Sequence, residues 1–522
     1  MAIDKQKFID QLNKDYTFNG ESIIVGAAML EGECLSGNLV KLPLKTFNRH
    51  GLIAGATGTG KTKSLQLIAE GLSKKGVPVL LMDVKGDLSG IAKAATPSDK
   101  VKERVAKIGM DYTPSDNVVE FLSLSKQPGV RLRATVSEFG PILMSKVLGL
   151  NDTQQGILAL LFKYADDKSL PIIDLKDFKA MINYISNEGK DEIEKVYGAV
   201  STNSVSTILR KVIELEQQGA EIFFGEPSFE PSDLLHKDIN GRGNISIIRL
   251  TDIQDKPKLF STFMLSLLAE IYASFPEQGD SEKPKLCLFI DEAHLIFDEA
   301  SKELLDQLET TIKLIRSKGV GIFFITQNPS DIPAPILSQL GLKVQHALRA
   351  FTAIDRKAIK TAAENFPISE YYKTEDLLLS LGIGEAMVTA LNEKGIPTML
   401  TATMMAPPTS RMDVLTEEEL NSNISKSELV AHYNRTIDPQ SAFEILEAKL
   451  KLKLDTQPDE EEEKSKSKKE KDEPSTFEKV LKSPVTRSVG VAIAGALTRG
   501  LLGALGVKSR STSTRRKKTS WF

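Results

Sequence analysis

Cysteine is almost missing from this chain: among 522 residues only Cys34 and Cys287 occur, far apart and without metal-ligand spacing. That argues against a disulfide framework or a zinc site, and it makes a reducing cytoplasm the expected setting. A strong excess of either charge is missing too. The formal net charge is −3, so any contact with nucleic acid has to come from local basic patches and not from global attraction. The polar start Met1-Ala2-Ile3-Asp4-Lys5 lacks the basic-then-apolar order of a cleaved export signal. No repeat of solenoid period runs through the sequence. What is there is an ordinary globular composition, 41% hydrophobic, enough to bury at least one sizeable core.

The order of apolar runs sets the fold class. His50-Gly51-Leu52-Ile53-Ala54 reads as a strand leading into a glycine loop, Ser64 to Lys74 has helical spacing, and Val77 to Val84 is short enough for a buried strand. From about residue 136 to 240 the periodicity is helical, as in 154–164, 175–185 and 204–217. Strand-like runs return at 244–250, 286–291, 320–326, 344–349 and 386–391. This alternation predicts an α/β fold with a mostly parallel sheet. The core is expected in two parts, 46–135 and 241–410, split by a helical insertion at 136–240. Residues 1–45 read as a short N-terminal segment and 411–455 as C-terminal helices. Residues 456–480, almost wholly charged from about 457 to 473, are expected to form a disordered linker. A basic tail fills 481–522.

The loop itself carries chemistry. Gly55-Ala56-Thr57-Gly58-Thr59-Gly60-Lys61-Thr62, with Lys63 behind it, has the pattern Gly, four residues, Gly-Lys-Thr. Glycines let the backbone curl, amide N–H groups point inward, and a helix N-terminus follows, which together suit a polyphosphate. Lys61 is expected to reach the β and γ phosphates of ATP, and Thr62 to hold magnesium. A second apolar run, Leu286 to Ile290, ends in Asp291-Glu292, where a parallel sheet presents residues to a ligand. Asp291 is the candidate magnesium ligand and Glu292 the candidate for polarising the attacking water. A third strand end carries Gln327, placed to sense the γ-phosphate from the strand beside the acidic one.

In these motifs the chain resembles the HerA-like branch of the HerA and FtsK ATPase superfamily, and in particular its bacterial YjgR-type members. The resemblance runs over roughly residues 20 to 410. It rests on Arg49 through Thr62, on Met82-Asp83-Val84-Lys85-Gly86-Asp87, on Phe289 through His294, and on Arg316-Ser317-Lys318-Gly319-Val320-Gly321 followed by Ile325 through Pro329. It implies a RecA-like P-loop NTPase core and a homohexameric ring with ATP sites between subunits and DNA in the central channel. It also implies an arginine acting on the neighbour's γ-phosphate: Arg316 is the first candidate, Arg349 or Arg356 the second. Asp83 and Asp87 assist magnesium, relay the nucleotide state or simply cap a turn. Archaeal members carry an N-terminal β-barrel that docks a nuclease, whereas only about 45 residues precede the core strand here. A nuclease partnership is therefore not carried over.

The expected function is an ATP-hydrolysing DNA translocase or helicase, the alternative an ATPase that remodels a protein or membrane-associated partner. A two-lobed helicase is disfavoured because only about 80 residues follow Gln327 before the strand signals end. The tail has no acidic residue and about nine basic ones around an apolar stretch interrupted by Arg499. It suits DNA phosphates or a membrane surface, in contacts that weaken with salt.

Overall fold

Strands covered on both faces need apolar side chains pointing both ways, and three runs here supply them without interruption. Val79–Asp83, Leu286–Ile290 and Val320–Thr326 are buried at every residue. The computed structural model of the chain describes residues 4–254, 256–279, 281–297, 302–350 and 352–455; the expected charged linker and basic tail lie outside the described residues. Two units divide the chain, Met1–Lys449 and Leu450–Phe522; of the second, only the helical residues through Asp455 are described.

Twelve strands make one sheet: β1 (Ser22–Leu30), β2 (Glu33–Pro43), β3 (Gly51–Ala54), β4 (Val79–Asp83), β5 (Val119–Ser123), β6 (Val130–Arg131), β7 (Ile245–Arg249), β8 (Leu286–Ile290), β9 (Val320–Thr326), β10 (Leu342–His346), β11 (Glu385–Thr389) and β12 (Thr401–Met405). Their order is β2-β1-β12-β11-β10-β3-β9-β8-β4-β7-β5-β6. From β10 to β6 every pairing is parallel, and from β10 outward through β11, β12, β1 and β2 every pairing is antiparallel. The sheet is thus mostly parallel, as the alternation predicts. Residues 22–43 are not an appendage before the core: they extend the sheet through β1 on β12. Their signal is blurred by two register shifts, between Ile24 and Gly26 and between Ala27 and Met29, which break the alternation a regular edge hairpin would show.

Helix α1 (Lys5–Tyr16) starts on Asp4, whose carboxylate accepts from the N–H groups of Gln6 and Lys7, and ends with Tyr16 donating its buried hydroxyl to the carbonyl of Met399 at 2.8 Å. Helices α2 (Lys61–Lys74) and α3 (Asp99–Ile108) follow the loop and β4. Between β6 and β7 every α-helix and strand assignment is helical: α4 (Val136–Val147), α5 (Asp152–Lys168), α6 (Leu175–Ser186), α7 (Lys190–Tyr197) and α8 (Thr202–Gln217). Reciprocal capping pairs Thr135/Glu138, Asn151/Gln154 and Asp174/Asp177 open α4, α5 and α6, satisfying donors that the helix itself leaves unpaired. Helices α9 (Pro257–Ser274), α10 (His294–Phe297) and α11 (Lys302–Ile315) connect β7, β8 and β9. No helix among the described residues is long and apolar enough to cross a membrane.

Helix α2 is held from behind by the strap at 409–412. Buried Glu70 accepts from the N–H of Thr409 at 2.8 Å and its hydroxyl at 2.7 Å, from the N–H of Ser410 at 3.1 Å, and from the Ser410 hydroxyl. Gln66 donates to the Ser410 hydroxyl at 2.7 Å and the Arg411 carbonyl at 3.0 Å. Removing Glu70 strands several buried donors at once, so Glu70→Ala is expected to cost about 3 kcal/mol of stability. A lowered urea midpoint at unchanged slope checks this; an unmoved midpoint would mean the strap contributes nothing.

Candidate active site

The loop between β3 and α2 has its curl fixed by sterics. Gly55 (φ 151°) and Gly60 (φ 116°) adopt conformations that L side chains rarely take, and a Cβ on Gly55 would stand 2.5 Å from the Cβ of His346. Neighbouring strands pin the rest. Gly55 N–H donates to the carbonyl of Thr326, Ala56 N–H to that of Ala347 at 2.9 Å, and Gly384 N–H to that of Thr59 at 2.9 Å. His346, fully buried, bridges the hydroxyl of Ser64 and the carbonyl of Glu385, both at 2.9 Å, and burial pushes its imidazole down to about 4.

Lys61 folds back into its own loop. Its ammonium donates to the carbonyls of Gly55 at 2.7 Å and Ala56 at 3.1 Å. Burial, with Lys85 adding repulsion, lowers its pKa, while Glu292 and Asp291 hold it up. Thr62 is the second residue of α2. Lys63 points elsewhere: its ammonium donates to the Met412 carbonyl of the strap at 2.5 Å, so only its backbone remains for an anion at the loop.

Topology brings the other predicted residues to the same edge. Strands β3, β9, β8 and β4 are adjacent and parallel, so their C-terminal ends present the loop, Gln327, Asp291-Glu292 and Lys85 to Asp87 side by side. Gln327 accepts a hydrogen bond from the hydroxyl of loop residue Thr57 at 3.3 Å. Asp291 is buried and its Oδ2 has no hydrogen-bond partner among the described residues. Burial, reinforced by Glu292, pushes its carboxyl up to about 7. Glu292, also buried, adopts φ 47°, a left-handed backbone that costs a non-glycine residue free energy and tends to mark functional positions. One of its oxygens pairs with Lys85 and the other lies 3.3 Å from Nδ1 of His294.

Asp83 caps a turn, one of its expected roles. It accepts from the N–H groups of Gly86 at 2.7 Å, Asp87 at 3.2 Å and Leu88 at 3.3 Å; burial and Asp87 together push its carboxyl up to about 6. Asp87 Oδ1 is buried without a hydrogen-bond partner among the described residues. Arg316 does not join this group. It lies in the turn Arg316–Lys318 before β9, and the seven-residue strand, about 20 Å long, separates it from Gln327. Arg349 follows β10 and is exposed on the loop's side of the sheet. The sequence reading gives Lys85 no role of its own. Lys85 stands inside the acidic motif after β4, and that cation between carboxylates was the available signal.

A glycine-curled loop with a buried lysine, joined across one intervening strand by a carboxylate pair, defines a P-loop ATPase that hydrolyses ATP. The chain belongs to the helicase HerA-like C-terminal family, whose sequence model matches residues 29–510. Similar proteins include the DNA double-strand break repair helicase HerA of Sulfolobus acidocaldarius, 21% identical over 379 residues, 71% of this chain and 68% of that protein. The protein of the same name from Sulfurisphaera tokodaii is 23% identical over 360 residues, 67% of this chain and 64% of its own length. DNA import protein CedB of Sulfolobus acidocaldarius is 23% identical over 386 residues, 73% of this chain and 56% of that protein. Among solved structures, the unbound bacterial conjugative coupling protein TrwBdeltaN70 aligns over 78% of this chain and 95% of its own, with a TM-score of 0.50 and 15% identity. That likeness concerns the fold.

Proposed function

We propose that this chain is an ATP-driven DNA motor, a translocase or helicase that works in the cytoplasm as a homohexameric ring. The observation that carries the reading is the convergence of Lys61, Gln327, Asp291 and Glu292 on one sheet edge within a HerA-like chain. Loop residues Gly55 to Thr62 bind the phosphates, with Lys61 leaving its carbonyls for the β and γ oxygens. Thr62 and Asp291 would hold a magnesium ion: Thr62 supplies a hydroxyl at the start of α2, and Asp291 a carboxylate whose buried Oδ2 has no hydrogen-bond partner among the described residues. When bound, magnesium neutralises charge on the β and γ phosphates. Glu292 orients and polarises the attacking water. Gln327, tied to Thr57, reads the γ-phosphate.

The position of Arg316 supports a role in trans. On the far side of β9 it is too distant for its own loop, so only a neighbour's site is open to it in a ring. Arg349, just past β10, and Arg356, in the helix Ala353–Glu364 that follows, are the alternatives.

The test is steady-state ATP hydrolysis by the purified protein, with and without single- and double-stranded DNA, across a salt series. Stimulation by DNA is expected, fading as salt rises because released counterions drive phosphate contacts. Hydrolysis indifferent to every DNA form would reject the DNA motor and direct the search to a protein or membrane-associated substrate.

A further inference from the structure

Of the cations around the carboxylate pair, Lys61 is committed to loop carbonyls and Lys63 to the strap. Lys85 alone among these three pairs with Glu292. We infer that Lys85 is a positioning residue for the hydrolytic step, holding the Glu292 carboxylate in the left-handed turn where it meets the attacking water. The inference rests on the proposed role of Glu292.

The turn that carries Lys85 is rigid, because the carboxylate of Asp83 gathers the N–H groups of Gly86, Asp87 and Leu88. Strand β4 lies directly beside β8, so a lysine two residues past Asp83 reaches the residue just past Asp291. The pair is also lopsided. The Glu292 side chain is 8% exposed and that of Lys85 40%, so the lysine's stem bridges from solvent to a carboxylate that has little water of its own.

The contact works through charge. Lys85 pairs with one oxygen of Glu292, and Nδ1 of His294 lies 3.3 Å from the other. The ammonium thus counters the repulsion between adjacent Asp291 and Glu292. Burial alone would lower the Lys85 ammonium; the Glu292 contact outweighs it and raises it, which fits a residue that stays charged while it works.

The experiment compares Lys85→Met, which keeps the aliphatic reach, Lys85→Arg, which keeps the charge, and Glu292→Gln in the full-length protein. Hydrolysis gives kcat, and titration with a fluorescent ATP analogue gives Kd. Lys85→Met is expected to lower kcat about 30-fold while Kd stays within about threefold, and Lys85→Arg to restore much of the rate. Should Lys85→Met fail to fold, Lys85→Gln takes its place. Normal kcat in the uncharged variant beside an inactive Glu292→Gln would overturn this inference alone. A rise in Kd of about tenfold or more would make Lys85 a nucleotide contact, and overturn it too. Normal hydrolysis by Glu292→Gln would overturn the proposed role of Glu292 and this inference together.

Discussion

Lys61→Ala is expected to lose nucleotide binding, with the Kd for ATP rising at least about a hundredfold, or about 3 kcal/mol. The magnitude follows from where the ammonium sits. It is buried, its own loop's carbonyls are its hydrogen-bond partners, and its carboxylate neighbours Glu292 and Asp291 favour the charged form. A triphosphate offers that ammonium a far stronger partner than two neutral carbonyls, and in a partly desolvated site the exchange is worth more than in water. The loop does not depend on the lysine for its shape. Gly55, Ala56 and Thr59 are tied through their backbones to Thr326, Ala347 and Gly384, so the variant should fold and melt within a few degrees of the parent. Titration with a fluorescent ATP analogue, run beside a thermal melt, separates the two effects. Retained binding in a folded variant would mean that the backbone cradle alone holds the phosphates.

The parts of this protein that are legible in its sequence are those where one local rule dominates. β9 is buried at all seven residues, and 320–325 is an unbroken run without a polar side chain that ends at Thr326; the glycine loop needs its glycines, and a Cβ on Gly55 would collide with His346. The site's acids and amide sit immediately after such strands, so finding the strands finds the residues. The antiparallel edge was harder. β1 contains Gly26 and two alanines and pairs through shifted registers, so its apolar residues do not alternate as an edge strand's would. β12 is rich in threonine and methionine, and β6 is two residues long.

Contacts between distant segments were not legible at all, because neither partner shows what it meets. The strap on Glu70 joins residues 339 and 340 positions apart. Lys63 stands in the phosphate-loop pattern yet spends its ammonium on Met412. Arg316 precedes the strand of Gln327 in the chain, and in space that seven-residue strand keeps it away from its own loop.

Glu292→Gln should retain ATP and lose turnover, with kcat falling about a thousandfold or more and Kd little changed. The substitution keeps the size of the side chain and one acceptor oxygen, so the left-handed turn at φ 47° has the same occupant to accommodate. What it removes is the negative charge proposed to polarise the attacking water, and an amide is a very poor base. In the proposed scheme binding is made elsewhere, by the loop and Lys61, so the ground-state complex should survive. There is also reason for ATP to bind slightly more tightly: a neutral residue beside Asp291 removes one carboxylate from a buried pair that faces the incoming phosphates, and it frees Lys85 from its ion pair. The split between kcat and Kd is the diagnostic. A variant that lost both would point to Glu292 as part of the binding cradle, and one that kept both would move the water-positioning role to Gln327 or to Asp87, whose buried oxygen has no hydrogen-bond partner among the described residues.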